Sequence, residues 1–162
     1  MLGLGTMTDE IGFDEVRELI LQIAELKNNL QEWGVIGSED KITADYAKWF
    51  CSKKFGLELY REVDFSYDAR SKFDERVQIK IRMGSDTDFT ITFGGLCLDD
   101  FDYLFIVFMN KNTWMIDSIY KVSQNIVRDF LSVDPPRRFK WCGESRSLSL
   151  QMYPDEENEI FL

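Results

Sequence analysis

Seven consecutive residues, Tyr103-Leu104-Phe105-Ile106-Val107-Phe108-Met109, are nearly continuously apolar and rich in β-branched and aromatic side chains. A strand with one face in water alternates apolar and polar residues, so this run reads as a central strand covered on both faces. It is far short of the roughly 20 residues that a membrane span requires. A strand of this kind needs neighbours on both edges and a layer on each face, so the fold expected is a three-layer α/β domain with a mixed central sheet.

The rest of the chain supplies those parts. Phe13, Val16, Leu19, Ile20, Ile23 and Leu30 recur at three- and four-residue steps, which predicts an amphipathic helix between Asp14 and Trp33. Gly34, Gly37 and Ser38 break that pattern. A second helix is expected from Thr43 to Phe55, with Tyr46, Ala47 and Phe50 as its apolar stripe and Gly56 just past its end. The period then moves towards two. Leu57 to Tyr60, Phe65 to Arg70 and Arg76 to Arg82 read as three strands of a meander, with turns at Glu62-Val63-Asp64 and Ser71-Lys72-Phe73-Asp74. A short strand is expected at Phe89 to Phe93 and a further strand at Trp114 to Tyr120. A short helix follows from Ser123 to Leu131, with Ser123 as N-cap and Asp134-Pro135-Pro136 beyond its end. Two short strand-like pieces and the acidic tail Asp155-Glu156-Glu157-Asn158-Glu159 complete the chain, and one domain over residues 1–162 is expected.

Composition narrows the chemistry. There is no histidine, so Ser-His-Asp and Cys-His catalysis and His-ligated zinc are excluded, and acid chemistry must run on carboxylates, lysine or metal-bound water. Cys51, Cys97 and Cys142 are widely separated and form no CxxC pair, which reads as small buried thiols in a reducing compartment. With no leader-like N-terminal segment before them, these features point to the cytoplasm and to no membrane partner. The four tryptophans read as core. The net charge of −10 opposes nonspecific adhesion to nucleic acid, yet it is unevenly spread: residues 41–82 carry ten basic and seven acidic side chains, and the remainder nine basic and 22 acidic. The helix and meander are the one basic region, either an ordinary solvated surface or a phosphate-facing one.

Within that region Asp68 ends one strand and Gln78-Ile79-Lys80 lies on the next. Alternation puts Gln78, Lys80 and Arg82 on one face and Val77, Ile79 and Ile81 on the other. If the strands pair, a carboxylate, an amide oxygen and an ammonium meet in a small space, which suits a hard divalent cation and a water beside a phosphate.

Ala44-Asp45-Tyr46, Lys53-Lys54-Phe55-Gly56-Leu57-Glu58-Leu59, Tyr67-Asp68-Ala69, Val77-Gln78-Ile79-Lys80, Gly94-Gly95-Leu96 and Phe101-Asp102-Tyr103-Leu104 follow one another in an order and spacing that resembles a small branch of the restriction-endonuclease-like PD-(D/E)XK superfamily. The resemblance spans about Ile42 to Leu131 and implies a nuclease-like core over residues 42–131, between a helical segment at 1–36 and C-terminal strands with an acidic tail at 132–162. It implies Asp68, Gln78 and Lys80 as catalytic residues, and Asp45, Asp68 and Gln78 as ligands of Mg²⁺ or Mn²⁺. Lys80 would position the attacking water and Arg82 would contact a DNA phosphate. Gln78 departs from the usual acidic residue, and QxK is known in active members of the superfamily. Two functions are expected: a metal-dependent phosphodiesterase acting on DNA, or a nuclease fold that has lost its chemistry and binds a basic protein partner through its acidic surface.

Overall fold

The computed structural model describes residues 10–33, 41–60 and 66–155, with the side chain of Lys41 excepted. The N-terminal residues, the expected break at 34–38, the turn at 62–64 and the tail beyond Asp155 lie outside the described residues. The chain divides into two units, residues 1–39 with 112–115, and residues 40–111 with 116–162.

In the first unit, Phe13–Glu32 forms helix α1, with Asp14 and Glu15 in the first turn where the helix dipole favours negative charge. Ile20 and Ala24, one turn apart, are its buried residues. Asn28 Nδ2 donates to the Asn112 carbonyl at 2.9 Å, and the Lys27 ammonium lies 5.9 Å from the centroid of the buried Trp114 ring. Leu19 and Trp33 are 58% and 71% exposed, against the expectation that both belong to the core. The buried line runs through Ile20 and Ala24, and Leu19 sits about 100° round the helix from Ile20.

The second unit contains, in order, α2 (Lys41–Phe55), β1 (Glu58–Leu59), β2 (Ala69–Arg70), β3 (Arg76–Met83), β4 (Thr92–Phe93), β5 (Tyr103–Met109), β6 (Ile116–Ser123), α3 (Gln124–Asp129), β7 (Phe139–Lys140), α4 (Gly143–Ser147) and β8 (Leu150–Tyr153), with a 3₁₀ turn at Leu98–Asp100. Six strands form a mixed sheet in the order β1-β2-β3-β5-β6-β8, in which only the β3–β5 pair is parallel. β5 is central as expected, and every residue from Leu104 to Met109 is buried. β4 and β7 pair as a separate two-stranded sheet. Gly56 ends α2 with φ +68°, a left-handed conformation that a residue with a Cβ adopts at a cost.

Alternation sends the β5 side chains to two different layers. Phe105 meets Phe55 of α2 edge to face at 5.8 Å, and Phe50 of α2 meets Tyr153 of β8 at 5.2 Å, so α2 covers this face. On the other face Leu104, Ile106 and Phe108 join Phe93 of β4, Phe139 of β7, Trp141 just after β7 and Val127 of α3 in one buried cluster. Each large apolar side chain buried this way contributes about 1.5–3 kcal/mol. At the rim of that cluster Tyr120 donates its hydroxyl hydrogen to Asp86 Oδ2 at 2.7 Å and accepts from Arg146 Nε at 3.0 Å, while Trp141 Nε1 donates to the Asp86 carbonyl at 2.7 Å. Burial first, and then the Asp86 carboxylate, push the Tyr120 hydroxyl above its ordinary pKa, so it stays protonated and donating.

Of the cysteines only Cys51 is buried, and burial pushes its thiol far up. Cys97 is exposed, and half-buried Cys142 caps α4 by accepting from the Ser145 amide, so neither is the simple core thiol expected. No described helix is long and apolar enough to cross a membrane.

Candidate active site

β2 is only two residues long, and Asp68 stands where it begins. The backbone there is fixed on both sides: the Tyr60 amide donates to the Asp68 carbonyl, and the Asp68 amide donates to the Val77 carbonyl, each at 2.9 Å. Where the ladder between β2 and β3 stops, the side chain takes over, and Asp68 Oδ2 accepts from the backbone amide of Ile79 at 2.7 Å. Ile79 is the middle residue of Gln78-Ile79-Lys80. The meander therefore brings the Asp68 carboxylate against the backbone of that tripeptide, and a backbone donor sets its orientation.

Gln78 and Lys80 are half-buried on one face of β3, opposite the buried Val77 and Ile79. The Lys80 ammonium extends towards the Gly94-Gly95 turn. A Cβ built on Gly95, whose φ is +66°, would lie 3.5 Å from Lys80 Nζ, so this glycine accommodates both the turn and the lysine. The ion pairs among the described residues do not include Lys80. Arg82 continues the same face and is exposed. Asp45 is exposed on α2.

The second oxygen of Asp68 has a partner that the sequence did not suggest. Lys48 Nζ lies 3.1 Å from Asp68 Oδ1, with the two side chains 32% and 17% exposed. Lys48 is three residues after Asp45, so both side chains leave α2 on the same side. The helix-to-site link expected of Asp45 is thus made by a cation one turn further on.

The expected donors are the oriented Asp68 carboxylate, the Gln78 amide oxygen and the Asp45 carboxylate, hard oxygen ligands of the kind that Mg²⁺ and Mn²⁺ take. They come from two sides of the sheet: the β3–β5 register sets Gln78 and Lys80 beside Leu104 and Ile106, away from the Phe105 face covered by α2, which carries Asp45 and Lys48. Among the described residues no three His, Cys, Asp or Glu side chains are gathered for a metal; the expected set contains two carboxylates and an amide.

A second polar cluster lies at the start of the parallel strands. Arg76 donates its amide to Asp102 Oδ2 at 2.8 Å and forms an ion pair with Oδ1 at 3.2 Å, while the Asp102 amide donates to the Arg76 carbonyl at 2.9 Å. The Arg76 hydrogen bonds hold the Asp102 carboxyl below its ordinary pKa. This clamp sets β3 beside β5 and flanks a cleft of about 380 Å³ lined by Glu75, Asp102, Tyr103, Ser123, Gln124 and Asn125. Arg138 of the Pro-Pro loop is exposed and donates from Nε to Thr92 Oγ1 at 2.9 Å, pairing β7 with β4. No protein-family model matches the chain, and no curated protein matches it.

Proposed function

We propose that the chain is a divergent metal-dependent phosphodiesterase acting on DNA, built on a three-layer restriction-endonuclease-like core. The observation that carries the reading is the 2.7 Å bond from the Ile79 amide to Asp68 Oδ2, which ties the carboxylate to the residue between Gln78 and Lys80. The path of the chain supports it: a helix leads into an antiparallel meander, the meander into a parallel strand pair, and both faces of the sheet are covered.

In this reading Asp68, Gln78 and Asp45 hold Mg²⁺ or Mn²⁺. The ion, when bound, supplies charge stabilisation at the phosphate and a more acidic water. Lys80 places a positive charge where the transition state gathers negative charge, and its lack of a carboxylate partner among the described residues leaves the ammonium available for that role. Arg82, exposed further along the same face, holds a flanking phosphate.

The test is cleavage of plasmid and linear DNA in Mn²⁺ and in chelator. Wild type cleaves slowly, Lys80→Ala and Asp68→Ala do not, and Gln78→Glu cleaves faster because a carboxylate adds charge to the ligand set. Cleavage that survives chelator or the loss of Lys80 would refute the assignment. The neutral Gln78 and the Lys48–Asp68 pair favour a second reading, a nuclease fold without chemistry that binds a basic protein partner. Absence of both cleavage and Mn²⁺ stabilisation in wild type and Gln78→Glu would select it.

A further inference from the structure

We infer that α1 is a self-association element whose exposed apolar ridge pairs, antiparallel, with the same ridge of a second copy of this chain. Val16, Leu19, Ile23, Leu26, Leu30 and Trp33 follow one another at alternating steps of three and four residues, the spacing of a two-stranded coiled-coil seam. The residues that α1 buries, Ile20 and Ala24, lie outside that seam. The seam itself is left open: Leu19, Leu26 and Trp33 are 58%, 63% and 71% exposed, and Val16, Ile23 and Leu30 are half-buried.

The helix thus carries two apolar lines, of which the fold covers one. Single exposed apolar residues are ordinary, but three large ones along one ridge amount to roughly 400 Å² per copy, a size that marks an interaction surface. Two such ridges and their half-buried flanks would close about 1,000 Å², the lower end of a specific interface and the range of a reversible one.

Charge selects the occupant. Glu18, Glu25 and Glu32 recur every seven residues on the side of α1 turned away from the seam, as outward positions of a helix pair do. The positions that border Leu19, Leu26 and Trp33 are Glu15, Gln22 and Asn29, two of them uncharged. A strongly charged partner helix finds no matching row there, whereas a second copy meets no like charge across the seam. The orientation follows from the ends. Parallel pairing would gather Asp14 and Glu15 of both copies at one end and set the two Trp33 rings in one layer. Antiparallel pairing separates the acids, opposes the helix dipoles, and forms layers of Val16 with Trp33, Leu19 with Leu30 and Ile23 with Leu26, the smallest seam residue against the largest.

The experiment is sedimentation equilibrium of the full chain. Wild type is expected to form a reversible dimer with a dissociation constant on the order of 10 μM. Leu26→Asp puts a charge in the seam and Trp33→Ser removes its largest side chain, and each should weaken the dimer by about fivefold or more. Both residues are exposed, so the variants should keep the wild-type urea midpoint at concentrations where the protein is monomeric, which separates lost pairing from lost folding. Glu25→Lys, on the outward side, should stay within about threefold of wild type. Antiparallel pairing sets residue 22 against residue 29, so Gln22→Lys with Asn29→Glu should tighten the dimer and Gln22→Lys with Asn29→Lys should weaken it; equal constants in these two would overturn the orientation. A dimer indifferent to Leu26→Asp and Trp33→Ser would overturn the inference, as would a wild type that stays monomeric up to about 1 mM, which would leave the ridge to a different protein.

Discussion

Replacing Asp68 by alanine and by asparagine separates what its carboxylate does for the fold from what it does as a charge. Alanine removes the acceptor of the Ile79 amide, and Ile79 is 3% exposed, so the orphaned N–H has little access to water. A hydrogen bond to a charged group contributes about 1.5–3 kcal/mol, and an unsatisfied buried donor costs a similar amount. The Lys48 pair adds less, because both side chains are partly solvated, and about 0.5 kcal/mol is a fair share for it. Asp68→Ala is therefore expected to lose about 2–3 kcal/mol. Asp68→Asn keeps an oxygen for the Ile79 amide, loses the charge, and is expected to lose about 1 kcal/mol or less. Urea unfolding followed by far-ultraviolet circular dichroism reads the difference. With a slope near 2 kcal/mol per molar urea, the alanine midpoint should fall by about 1–1.5 M and the asparagine midpoint by less than about 0.5 M. Equal losses in the two variants, or a loss under about 0.5 kcal/mol in alanine, would show that the amide does not orient the carboxylate.

Phe108 is fully buried with its ring 5.5 Å from Trp141 and 6.1 Å from Tyr120, so Phe108→Ala is expected to cost about 3–5 kcal/mol in the same urea assay. Asp102 has its folded-state pKa depressed by Arg76, so the stability it contributes is fully present above the unfolded carboxylate pKa of about 3.9 and is lost as pH falls through the lower folded value. The gap in urea midpoint between wild type and Asp102→Asn should accordingly be constant from about pH 7 to 5 and shrink below about pH 3.9; a gap that persists in acid would show that the carboxylate charge is not what holds β3 to β5.

Periodicity revealed the long elements because each buries a continuous face. β5 begins and ends where the apolar run does, and β3 and α2 lie within two residues of expectation, since alternation and a helical stripe are visible over that length. Short elements carry no such signal. α4 spans five residues and is held by a cap between Cys142 and Ser145 in place of an apolar stripe, so it was not expected. β2 is shorter than the Phe65 to Arg70 stretch, and the Asp68 side chain replaces the missing ladder bond there. At the site, the spacing of Asp68, Gln78 and Lys80 was legible because a hairpin converts sequence separation into adjacency. The Lys48–Asp68 pair was not, because it depends on how α2 is seated on the sheet; the one available signal was that Lys48 follows Asp45 by a helical turn. The Asp86–Tyr120–Arg146 cluster joins residues 34 and 26 positions apart through tertiary packing, which no local pattern encodes.

The most direct test of the account is a crystal of the wild-type chain soaked in saturating Mn²⁺ and measured for anomalous scattering. The expected result is a single strong peak bounded by Asp68 and the Gln78 amide oxygen, with the Ile79 amide still donating to Oδ2. An undisturbed Lys48–Asp68 pair with no peak beside it would contradict the claim that this carboxylate is built to hold a catalytic metal.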